Sequence, residues 1–205
     1  NNLLELFFEQ YKKQDKNNIF LINLGNPKHK LSWEKTYLLV NHLSNQISKD
    51  IKLGDRCVLI SENRPEWLIS DLAIMLAGGI SVPSYTTYTT KDYEYIIKDC
   101  EPSVLIVSNN TQFNKIKDIL DYKKIKKIIS FDRLENLKFQ NYLCIEDIIN
   151  KKDGFENFDS EISLKRSDPA CIIYTSGTQG NPKGVILSHG GILSNCEGGY
   201  ELLKS

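Results

Sequence analysis

Apolar residues along this chain recur with two periods, and the alternation between those periods sets out most of its elements. Positions 3, 4, 6, 7, 8 and 11 are apolar within residues 3–16, an imperfect helical face that packs one side on a core. "NIFLIN" and "HKLSW" flank the turn signal "GNPK" and read as two short strands. Ser32 is placed to cap a helix over 33–50 whose stripe is Tyr37, Val40, Leu43 and Ile47, with Glu34 favourable in the first turn. "RCVLI" is a short buried strand. After it, Pro65 falls where a first helical position tolerates a missing N–H. The helix predicted over 65–77 is apolar nearly all round, so it belongs between layers. Gly78 and Gly79 end it, and "ISVPS" resumes as a strand. Thr89 with Asp92 resembles a capping box opening a helix to about residue 100. "SVLIVS" is the next strand, 112–122 the next helix, and "KKIISFD" the strand after that.

Strands alternating with helices at this spacing argue for βαβ units: an α/β fold with a mostly parallel sheet flanked by helices. Residues 1–138 are expected to form a first α/β subdomain. The pattern weakens over 139–167, read as an irregular connection in which "KKDGFENFDS" is a surface loop. Residues 168–205 read as the start of a second subdomain: strand "ACIIYT", a glycine-rich loop, strand "GVILSH", then a helix from residue 190.

The 205 residues carry 26 basic and 26 acidic side chains, so no global field recruits nucleic acid or an anionic membrane, and any anion site must be local. The one charge run, "KKIKK" at 123–127, reads as a solvated lead into a strand, with Asp118, Asp121 and Asp132 flanking it. Five widely spaced cysteines without a C-x-x-C pair argue against a disulfide framework or structural zinc, and Cys57 and Cys171 lie in apolar runs as small buried hydrophobes. The N-terminus lacks the basic region and cleavage site of a secretory signal. The longest apolar stretch is too short to span a bilayer and contains Asp71. A reducing cytoplasm is the expected compartment, with peripheral membrane contact left open. The chain starts at Asn and stops within an amphipathic pattern, so both ends are expected to be cut.

The stretch "YTSGTQGNPKG" at 174–184 concentrates the candidate chemistry. A Walker loop needs lysine directly after its last glycine, then Ser or Thr and a helix, whereas here Pro182, Lys183 and Gly184 lead into a strand. Residue types still suit phosphate. Backbone N–H groups of a glycine-rich turn converge on an anion, the hydroxyls of Thr175, Ser176 and Thr178 donate to its oxygens, and Lys183 supplies a point charge. Gly177 and Gly180 let the backbone approach closely. Ser, Thr, Gly, Asn and Pro equally serve any surface hairpin loop.

The longer string "IIYTSGTQGNPKGVILSH" resembles the signature of the adenylate-forming superfamily, approximately Y-T-S-G-[ST]-[ST]-G-x-P-K-G-V, with Gln179 as the one departure. A glutamine amide still donates to a phosphate oxygen. Upstream, "ENRPEW" and "VP" followed by a Thr-rich segment are similar to long-chain fatty acid CoA ligases. The resemblance implies the N-terminal part of the large domain of such an enzyme. It implies ATP, Mg2+ and coenzyme A as co-substrates and a fatty acid as the acid activated. Thr175, Ser176, Gly177, Thr178, Gln179, Gly180 and Lys183 would hold the β- and γ-phosphates, and Lys183 would act in catalysis by offsetting charge on the departing pyrophosphate. No metal ligand is assigned within the chain, because the adenine, ribose and magnesium motifs would lie beyond Ser205. The isolated chain is therefore expected to be inactive. His189 matches a position where these enzymes often carry histidine, although a lone histidine after a strand is more often structural. Tyr174 packs or orients the loop. Transfer to a carrier-protein thiol, or a non-catalytic module, stands as the alternative.

Overall fold

The computed structural model of the chain describes residues 1–24, 29–149, 163–175 and 182–204, the last four by backbone alone. Helix α1 (Leu3–Lys13) is opened by a reciprocal cap in which Asn2 Oδ1 accepts from the Glu5 N–H at 2.9 Å while the Glu5 carboxylate takes the Asn2 N–H. Strands β1 (Ile19–Asn23) and β2 (His29–Ser32) pair antiparallel as the turn signal between them predicts, and Ser32 caps α2 (Trp33–Ser48) through the Lys35 N–H. Then follow β3 (Arg56–Ile60), α3 (Pro65–Leu76), β4 (Ile80–Ser84), α4 (Thr90–Cys100) and β5 (Val104–Val107). Gly78, at φ 84°, supplies the left-handed turn that ends α3, a conformation other residues adopt only with strain. Thr89 and Asp92 form both hydrogen bonds of the capping box expected at α4.

Two expectations are corrected further along. The helix predicted over 112–122 is only α5 (Asn110–Asn114), begun earlier because the Asn109 side chain caps it. Beyond Asn114 the chain tightens into turns, with the Ile119 N–H bonded to the Ile116 carbonyl three residues back. After β6 (Lys127–Ser130), residues 142–149 carry β7 (Tyr142–Cys144) and α6 (Ile145–Ile149), regular structure within the stretch read as irregular. The surface loop expected at 151–160 lies outside the described residues. The chain closes with β8 (Pro169–Thr175), β9 (Lys183–Ser188) and α7 (His189–Lys204).

Seven strands form one sheet in the order β7-β6-β5-β3-β4-β8-β9, parallel throughout except for the antiparallel pair β8 and β9. The two-residue period of each strand divides its side chains between two cores. Cys57, Leu59, Val104, Ile106 and Ile129 face α1, α2 and α3, whereas Val58, Ile60, Leu105, Val107 and Ile128 face α4 and the turns after α5. Both faces of the sheet are covered at β3, β5 and β6, which is why those strands read as unbroken apolar runs. The lysine-rich run is not simply solvated. Lys124 pairs with Glu101, Lys126 with Asp55, and Lys127, buried at 5% exposure, with Asp50 at 2.6 Å. These carboxylates come from other elements, a proximity that no local reading of charge supplies.

Candidate functional site

The candidate loop joins β8 to β9, and its two stems are described while residues 176–181 are not. Ser176, Gly177, Thr178, Gln179 and Gly180 thus lie outside the described residues. Thr175 and Lys183 stand directly opposite each other in the antiparallel register, both exposed, one pair beyond Tyr174 and Gly184. Because β8 runs parallel to β4, Thr175 emerges at the carboxyl end of the parallel strands, where open α/β sheets collect ligands.

Tyr174 is buried beneath those stems. Its hydroxyl donates to Asp99 Oδ2 on α4 at 2.6 Å, and its carbonyl accepts from the Tyr88 hydroxyl at 3.2 Å. Tyr95 meets the ring edge-on at 6.5 Å. Burial and the neighbouring Asp99 carboxylate push the Tyr174 phenol well above its ordinary pKa, so it remains a protonated donor. Gly184 faces this ring across the strand pair: a Cβ there would lie 3.0 Å from Ile172 Cγ2 and 3.2 Å from Tyr174 Cζ.

His189 follows the end of β9 farthest from Lys183, roughly 20 Å away at a strand's rise per residue. It is 1% exposed, its Nδ1 accepts from the Leu3 N–H, and burial holds its pKa below the ordinary value although Asp168 pulls the other way. The structural reading of this residue is the one its surroundings support. Cys57, Cys100, Cys144 and Cys171 are buried unpaired thiols, and burial raises Cys100 to about 12 and Cys171 to about 11. Among the described residues no group of three or more His, Cys, Asp or Glu side chains could hold a metal ion. Sequence reasoning missed Tyr88, Tyr95 and Asp99 as neighbours of the loop stem; Asp99 is 75 positions from Tyr174, and no local signal links them.

A family model described as "AMP-binding enzyme" matches residues 7–204. The chain belongs to the AMP-binding enzyme family. Curated members of the family that it resembles include the long-chain-fatty-acid CoA ligase ACSBG1 of Rattus norvegicus, 31% identical over 175 residues, covering 80% of this chain and 24% of that protein. ACSBG2 of Xenopus laevis is 33% identical over 176 residues, covering 82% of this chain and 23% of the relative. The chain therefore spans about a quarter of the length of these relatives. Among solved structures, the ATP-bound RpMatB-BxBclM chimera B3 superposes with a TM-score of 0.72 at 26% identity, over 95% of this chain and 36% of the other. The anthranilate CoA ligase AuaEII, solved with anthranoyl-AMP, gives a TM-score of 0.73 at 23% identity over 92% of this chain and 35% of the other, a likeness of fold.

Proposed function

We propose that this chain supplies the phosphate-gripping part of an ATP-dependent, AMP-forming acyl-CoA synthetase that activates fatty acids. The observation that carries the reading is the pairing of Thr175 with Lys183 at the carboxyl end of the parallel sheet in a chain of the AMP-binding family. A fatty carboxylate oxygen attacks the α-phosphorus of ATP, the bond to the bridging oxygen of the β-phosphate breaks, and acyl-adenylate and pyrophosphate form. Coenzyme A sulfur then attacks the acyl carbon, its thiol proton is lost, and AMP leaves. Positioning and charge neutralisation dominate such steps. The Thr175 hydroxyl donates to a terminal phosphate oxygen and the Lys183 ammonium offsets charge that grows on pyrophosphate as it departs. Ser176, Gly177, Thr178, Gln179 and Gly180 complete the same grip. The names of the curated relatives favour coenzyme A over a carrier-protein thiol as acceptor.

Magnesium belongs to this reading only as the nucleotide's counter-ion, and since the described residues form no acidic cluster to hold it, no step is assigned to it. Residues 168–205 are read as the start of a second subdomain whose first strand joins the sheet of the first, and the 205-residue chain alone is read as inactive. A cytoplasmic setting fits five unpaired cysteines; among the described residues no helix is long and apolar enough to cross a membrane. Lys183→Ala in the full-length protein tests the proposal. Fatty-acid-dependent ATP–pyrophosphate exchange should fall by at least about a hundredfold with unchanged circular dichroism, and exchange at the parental rate would remove Lys183 from the mechanism.

A further inference from the structure

Strand β9 lies at the edge of the sheet, with Lys183, Gly184, Val185 and Ile186 exposed, so the place of Lys183 is set through β8. Yet β8 is itself weakly registered on the sheet. Its ladder with β4 consists of the single pair Ser81 and Cys171, four residues before Thr175, and β4 carries Pro83, which has no N–H to offer, in the stretch beyond. The loop-bearing end of β8 therefore lacks the backbone bonds that hold the other parallel strands in place. What reaches it instead is side-chain bonding from the segment after β4: Tyr88 to the Tyr174 carbonyl, and Asp99 receiving the Tyr174 hydroxyl. Both partners are anchored in turn. Tyr88 packs edge-on against Tyr85 and Tyr93, the Tyr93 hydroxyl is bonded to the Tyr85 carbonyl at 2.7 Å, and Asp99 lies on the last turn of the capped helix α4. The missing Cβ of Gly184 leaves room for the Tyr174 ring that makes the connection.

We infer that Asp99, assisted by Tyr88, is a positioning residue for nucleotide binding, holding Tyr174 and through it the opposed residues Thr175 and Lys183 where the terminal phosphates are met. The inference rests on the function proposed above and adds to it a distant carboxylate that touches no substrate. A hydrogen bond to an ionised acceptor is worth about a tenfold change when it acts in one step.

The test uses the full-length protein and steady-state ATP–pyrophosphate exchange. Tyr174→Phe and Asp99→Ala should each raise the KM for ATP about tenfold while leaving the KM for the fatty acid within about twofold. Asp99→Asn keeps an acceptor oxygen and should return the ATP KM to within about threefold of the parent. The double variant Tyr174→Phe/Asp99→Ala should be no worse than either single change, since both remove one bond. An unchanged ATP KM in Asp99→Ala, equal losses in Asp99→Asn and Asp99→Ala, additive losses in the double variant, or matched rises in both KM values would each overturn the inference. Lys183→Ala is assayed beside them. If it abolishes exchange while Asp99→Ala has no effect, only the positioning role fails; if Lys183→Ala leaves exchange intact, the phosphate reading and this inference fail together.

Discussion

Replacing Asp71 by asparagine should make the protein more stable at neutral pH and leave it unchanged in acid. Asp71 lies on α3, where burial raises its carboxyl from the ordinary 3.8 to about 6 although the nearby Ser81 hydroxyl pulls it partly back. An acid whose folded pKa exceeds its unfolded one is bound to its proton more tightly in the native state, so stability is greatest when both states are protonated and declines as pH rises from about 4 to about 6. The gap between 3.8 and about 6 corresponds to about 3 kcal/mol, and because part of the residue is exposed this is a ceiling. Asp71→Asn keeps the shape and removes the ionisation. Urea unfolding followed by circular dichroism should show the variant more stable by up to about 3 kcal/mol near pH 7.5, the difference shrinking to nearly nothing by about pH 3. A stability difference that does not change with pH would refute the reasoning.

Two further changes probe the packing around the site and its scaffold. Lys127→Ala strands the partly buried Asp50 carboxylate and should cost about 3 kcal/mol in urea unfolding, whereas replacing Lys127 and Asp50 together by apolar residues should recover most of it; equal losses would mean the pair is not coupled. Gly184→Ala places a Cβ against Ile172 and the Tyr174 ring and should lower stability by about 1–3 kcal/mol in thermal unfolding, while a neutral result would show that the ring yields without cost.

How far the sequence carries the structure depends on the range of the force involved. Thr89 and Asp92 announce α4 because a capping box is complete within four residues, and "RCVLI" announces β3 because burial on both faces demands an apolar run. β7 and α6 are not legible, being three and five residues long, and β7 is fixed by the ladder of Ile128, Ile129 and Ser130 with Tyr142, Leu143 and Cys144 rather than by period. Lys127 departs from the solvated reading because its partner Asp50 lies in the segment that follows α2, far from it in sequence, whereas lysine is ordinarily exposed. The candidate site divides in the same way. Thr175 and Lys183 stand out within one contiguous string, whereas Tyr88 and Asp99 reach Tyr174 only once β4, α4 and β8 have packed together.

The most direct measurement is a crystal structure of the full-length protein with ATP. The β- and γ-phosphate oxygens should lie within about 3 Å of the Thr175 hydroxyl and the Lys183 ammonium. Terminal phosphates bound elsewhere, with both side chains turned to solvent, would contradict it.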